Sequence, residues 1–134
     1  MTLEETLTSI VAGLVLGSCQ NNRLYDPAHT FEGDVGGRHY HYFLEQTTIP
    51  GTNDVVYQWV LEVTQGKKRI VFIDEGCDGE VDRIKVGSGI EYTLAEANEN
   101  PVIAERMERA QSAFERHLGK IEKYRTEQFA QWIN

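Results

Sequence analysis

Val55-Val56-Tyr57-Gln58-Trp59-Val60-Leu61-Glu62-Val63-Thr64, then Gln65-Gly66-Lys67, then Lys68-Arg69-Ile70-Val71-Phe72-Ile73-Asp74 is the stretch that decides the fold. Successive side chains on a strand point to opposite faces. The first run therefore puts Val55, Tyr57, Trp59, Leu61 and Val63 on one face, and Gln58, Glu62 and Thr64 on the other with Val56 and Val60. Aromatic and β-branched residues fit such a pleated surface. The Gln65-Gly66-Lys67 break reads as a hairpin turn. This is an antiparallel pair at the centre of the chain.

The pattern continues outward in both directions. Arg38 to Thr48 is a strand by the same composition, and Pro50-Gly51 with Asn53-Asp54 marks the turn after it. Glu80 to Val86 reads as a fourth strand and Gly89 to Leu94 as a short fifth. Consecutive strands with short turns give an antiparallel meander rather than βαβ units. Upstream, residues 17–37 hold Asn21, Asn22, Asp26-Pro27, Gly33, Gly36 and Gly37 and read as a long polar loop pinned by Tyr25 and Phe31.

Helical periods bracket the strands. Thr2-x-x-Glu5 is a capping box, followed by Leu3, Leu7, Ile10, Val11 and Leu14 at helical spacing and a stop at Gly17. In the last third, Ile103, Met107, Ala110, Phe114, Leu118, Ile121 and Tyr124 form a stripe, with Asn98 or Asn100 as cap and Pro101 in the first turn. One helix over residues 101–133 would be about 50 Å long, against about 30–35 Å for a domain of this size. A break at Gly119, an overhang, or pairing with a second chain is the expected solution. The fold class expected is α+β: one domain, residues 1–134, with a meander of four to five antiparallel strands packed by an N-terminal helix and a long C-terminal helix.

The 134 residues carry 13 Lys+Arg against 21 Asp+Glu, a net charge of −8. That balance argues against nucleic-acid binding, which neutralises phosphates with clustered bases. No membrane partner is expected, since the apolar run Ile10 to Leu16 is far too short to span a bilayer. The segment before it has Glu4 and Glu5 and no base, unlike a secretory leader, so a cytoplasmic location is expected. The alternative is an exported lipoprotein lipidated at Cys19, because Leu16-Gly17-Ser18-Cys19 resembles a lipoprotein cleavage box. Cys19 and Cys77 have no zinc-site spacing, and a disulfide between them cannot be inferred from sequence.

The charge is not evenly spread. Asp74-Glu75-Gly76-Cys77-Asp78-Gly79-Glu80-Val81-Asp82 holds five carboxylates in nine residues. Calcium takes six to eight oxygens, supplied by alternate loop positions around a tight glycine turn. Asp74, Asp78 and Asp82 occupy positions one, five and nine of such a loop, Gly79 position six, and Glu80 the position that offers a backbone carbonyl. Over these nine residues the stretch resembles the Asp-rich loops of dockerin and thrombospondin type 3 repeats, which implies calcium as the ligand. Gly76 at position three and Lys85 at position twelve lack ligand side chains, and the flanks read as strands, so a weak site is expected rather than an EF-hand. The competing reading is a solvated Asp-Gly turn balanced by Lys67, Lys68, Arg83 and Lys85.

Arg38-His39-Tyr40-His41-Tyr42-Phe43 places His39 and His41 on one strand face, where two imidazoles can reach one metal if Glu45 or His29 adds a third ligand. The competing reading is that they simply cover a sheet face. Cys77 is a poor nucleophile among carboxylates, which oppose thiolate formation. Gly33-Asp34-Val35-Gly36-Gly37 opens no helix and is no phosphate loop. Phe129, Trp132 and Ile133 are large apolar residues near the chain end, where an undocked segment would fray. Self-association through the C-terminal helix is therefore expected. The sequence assembles no nucleophile, base and oxyanion donor together. The function expected is a non-catalytic, self-associating binding module whose acidic hairpin takes calcium weakly, with no cofactor required. The alternative is a small metal-dependent enzyme built on His39 and His41.

Overall fold

A computed structural model of the chain describes residues 30–133. Six strands follow one another: β1 (Phe31–Val35), β2 (Arg38–Thr48), β3 (Val55–Gln65), β4 (Lys68–Glu75), β5 (Arg83–Val86) and β6 (Ile90–Thr93). They form one antiparallel sheet in the order β1-β2-β3-β4-β5-β6. Two helices follow, α1 (Leu94–Ala97) and α2 (Pro101–Ile133).

The α+β meander with its long C-terminal helix is as expected, but the strand count is six rather than four to five. The additional strand is β1, cut from the stretch read as loop. Its glycine content hid it, although those glycines make it possible. Gly36 and Gly37 sit at φ 59° and 84°, the geometry of the tight turn that joins two strands without splaying them. Val35 then pairs with Arg38 and Phe31 with Tyr42. The fourth strand is shorter than read, beginning at Arg83, because residues 76–82 form a loop closed by the Asp82 N–H donating to the Ile73 carbonyl at 2.8 Å. The N-terminal helix expected before residue 17 lies outside the described residues, as does Cys19.

Register lines up Phe31, Tyr42, Leu61, Phe72, Ile84 and Tyr92 as one row across all six strands. This row belongs to the face covered by α2. Under the helix lie Tyr40, Tyr42, Trp59, Leu61 and Phe72, each at most 2% exposed. They pack with Met107, Ala110, Phe114 and Ile121 of the helix. The opposite face carries a smaller apolar patch of Val60, Val71 and Ile73 beside Phe43.

α2 starts as the sequence indicates, with Asn100 Oδ1 accepting the Val102 N–H at 3.0 Å. The Glu105–Arg109 pair spans one turn at 3.1 Å. The helix is not broken at Gly119; its 33 residues are continuous. Glycine costs a helix only about 1 kcal/mol against alanine, and burying Phe114, His117 and Ile121 on either side outweighs that. Near its start, the Arg106 guanidinium donates to the Tyr92 hydroxyl on β6 at 2.7 Å. Further on, Tyr124 meets the Phe31 ring of β1 edge-on, 5.8 Å between centroids, and Arg125 donates to the Thr30 carbonyl at 2.8 Å. The helix thus crosses the whole sheet and continues past β1. Among the described residues no helix is long and apolar enough to cross a membrane.

Candidate functional site

Three of the acidic residues singled out in the sequence converge. Asp74 is the last but one residue of β4, on the face toward α2 and paired in register with Trp59. Asp78 lies in the following loop and Asp82 just before β5. One carboxylate oxygen from each lies within 4.8 Å of the other two, the group among the described residues able to hold a metal ion. Glu80, expected to contribute, is exposed and is not in this group.

The three differ in burial: Asp74 is wholly buried, Asp82 half-buried and Asp78 exposed. All three also hold the loop. Asp74 accepts the Gly79 N–H at 2.8 Å and the Asp78 N–H at 3.2 Å. Asp78 accepts from Glu80 at 2.9 Å, and Asp82 from Glu75 at 2.6 Å. Between them Cys77 is fully buried, disulfide-bonded, and at φ 59°. A side chain in the left-handed region costs about 1–2 kcal/mol, so this loop is held by its surroundings.

Burial pushes the Asp74 carboxyl up to about 7, helped by hydrogen bonding and charge from Asp78; the backbone donors of Gly79 and Asp78 pull the other way. Burial also raises Asp82 to about 6, with the charges of Asp78, Glu75 and Glu80 adding to it. Like charges close together resist ionising together. A proton or a bound cation relieves the same repulsion, and a hard oxygen-seeking cation such as calcium matches this donor set.

Two features of the site had no sequence signal. Gln111 of α2 clamps the loop from the far side, its Oε1 accepting the Val81 N–H at 2.7 Å and its Nε2 donating to the Gly79 carbonyl at 2.9 Å. Thirty residues of chain separate them, so only the tertiary fold brings them together. The second is a buried aromatic pair beside Asp74. Tyr42 stacks on Trp59 at 4.6 Å. Burial, then the charge of Asp74, pushes the Tyr42 hydroxyl above its ordinary pKa.

His39 and His41 lie on the sheet face opposite α2, their side chains 45% and 39% exposed. His39 Nδ1 is 2.8 Å from Asp34 and its Nε2 3.6 Å from Glu32. His41 Nδ1 is 3.7 Å from Glu62. The hydrogen bond to Asp34 raises the His39 pKa, against an opposing effect of burial. Glu45, considered as a third ligand, accepts a hydrogen bond from Gln58 instead. His29 lies outside the described residues.

The end of α2 is a second surface of interest. Beyond Arg125, Phe129, Trp132 and Ile133 are 64%, 85% and 64% exposed. No family model matches the chain, and the curated proteins and solved structures likewise give no match.

Proposed function

We propose that the protein is a non-catalytic binding module that associates with itself through the free end of α2. One observation carries this reading: a 33-residue helix runs off the sheet edge and presents Trp132 at 85% exposure with Phe129 and Ile133 beside it. Aromatic anchors of this kind dominate the energy of protein interfaces. The helix end is also suited to contact by its charge, since residues 101–134 hold five acids and six bases. Light scattering on the full chain tests the reading. The expected result is a dimer that Trp132→Ala weakens at least tenfold; a monomer at high concentration overturns it.

A second property is supported by the convergence of Asp74, Asp78 and Asp82. This loop takes calcium weakly, for stabilisation rather than sensing, because three carboxylates supply only part of the six to eight oxygens the ion prefers. Millimolar calcium is expected to raise the melting temperature at pH 7.5, and Asp78→Ala to abolish the rise. Asp78 is the variant to use because it is exposed and its loss leaves no buried charge. No effect of calcium on the native protein ends the reading.

The disulfide at Cys77 favours an oxidising compartment over the cytoplasm, because disulfides rarely persist in reducing cytosol. A thiol count on purified, unreduced protein reads this directly.

A further inference from the structure

We infer that the disulfide partner of Cys77 is Cys19, and that this bond holds the loop carrying Asp74, Asp78 and Asp82 in its converged form, so that reduction opens the loop. The consequence for cation binding rests on the calcium reading above; the bond and its hold on the loop do not.

The partner follows from the cysteine count. The chain has two cysteines, Cys19 and Cys77, and Cys77 is disulfide-bonded. Within one chain its partner can only be Cys19. The sheet makes the reach short. β1, β2, β3 and β4 pair antiparallel in turn, so β1 begins at the end of the sheet where β4 finishes. Phe31 and Phe72 share a row across these strands. Thr30 lies one position past that row and Cys77 five positions past it. Three strand spacings across and about four residues along put them roughly 20 Å apart. Ten residues, 20–29, join Cys19 to Thr30, and that length of chain can reach about 36 Å. The bond closes with slack and needs no second molecule.

The loop is built around the bonded residue. Gly76, just before Cys77, donates its N–H to the Tyr57 carbonyl at 3.3 Å. Asp78 and Gly79, just after it, both donate to Asp74. Gly76 and Gly79 sit at φ 83° and 87°, and Cys77 between them at 59° is the non-glycine residue with positive φ among the described residues. Glycine takes such angles freely. Another residue keeps them only where its surroundings fix them. The disulfide anchors the Cys77 side chain, which is wholly buried in the cluster that holds Val81 and Met107. Freed from the bond, Cys77 relaxes toward negative φ. The N–H groups of Asp78 and Gly79 then turn away from Asp74, and Asp78 leaves the other two carboxylates.

The opening step is a two-electron reduction by a dithiol. One of its sulfurs attacks the Cys19–Cys77 bond to give a mixed disulfide, and its second thiol displaces the remaining cysteine. The products are two cysteine thiols and the oxidised, cyclic reductant. Coupling of this kind is reciprocal. A cation that favours the converged loop makes the bond harder to reduce, by the factor by which the bond tightens cation binding.

The test uses the full chain. Trypsin digestion without reductant, read by mass spectrometry, is expected to give residues 1–23 joined to residues 70–83. Two free thiols, or a disulfide-linked dimer, overturn the inference. Amide hydrogen exchange then compares the native protein with its dithiothreitol-reduced form and with Cys19→Ser, which leaves the loop sequence intact. In both, the Asp78 and Gly79 amides should exchange at least tenfold faster while those of β2 and β3 keep their rates. Unchanged loop amides overturn the hold on the loop. Faster exchange throughout the sheet shows a bond that holds the whole fold and overturns the local device. Calcium should raise the melting temperature of the oxidised protein and not of Cys19→Ser. An equal rise in both overturns the coupling. No rise in either ends the calcium reading and leaves the exchange rates to decide the inference.

Discussion

Tyr40 of β2 and His117 of α2 are separated by 77 positions in sequence and joined by a buried hydrogen bond, 2.8 Å from the phenol oxygen to Nδ1. The rings lie 5.3 Å apart, and His117 also faces Phe72 at 6.0 Å. Burial lowers the His117 pKa to about 4, and the charges of Arg38, Arg116 and Lys120 push in the same direction. The histidine is therefore a neutral polar link in an otherwise apolar helix–sheet interface.

Removing one partner of this link should be costly. Tyr40→Phe keeps the ring and leaves the imidazole nitrogen without its partner, a loss of about 1–3 kcal/mol. Urea denaturation should show a lower midpoint with an unchanged slope. A variant as stable as the native protein would show that the bond contributes nothing.

Stability should rise as pH falls from about 7 toward 5. Asp74 and Asp82 have folded pKa values raised to about 7 and about 6 from a usual 3.8. Their stabilising contribution is complete below the unfolded value and is lost as pH rises through the folded one. For Asp74 alone this amounts to roughly 4 kcal/mol as an upper figure. His117 works in the opposite sense: its folded value near 4 lies below the usual 6.5, so its contribution is lost as pH falls from 6.5 to 4. Two carboxylates against one imidazole leave the net slope with the acids. Chemical denaturation across this range, with calcium chelated, should show the slope, and Asp74→Asn should flatten it.

Gly119→Ala should stabilise the protein by about 0.5–1 kcal/mol. The glycine is exposed and helical, and a Cβ placed there meets no atom within 4 Å. A rise in melting temperature checks this. A fall would mean that the helix bends at Gly119 in solution.

Much of the fold could be read from alternation and turn residues, because β2, β3 and β4 carry aromatic and β-branched runs. β1 was hidden, since FEGDV has one large apolar residue and its strand character comes from pairing with β2. The Gly119 break failed because intrinsic propensity is smaller than the packing on both sides of it. At the site, the spacing of Asp74, Asp78 and Asp82 was legible because they share one loop. The burial of Asp74 was less so, since strand parity assigns it to a face but cannot say that Trp59 and α2 cover that face. Gln111 was invisible for the same reason: long-range clamps leave no local pattern.

The row of six side chains running from Phe31 to Tyr92 has a consequence for how the protein is made. All six strands precede α2 in the chain, so during synthesis the sheet leaves the ribosome without the cover of α2 until about residue 125 has emerged. Bare apolar sheet faces are the surfaces on which partly folded chains aggregate. Synthesis of this protein therefore has a vulnerable interval, which ends when the helix packs across the strands.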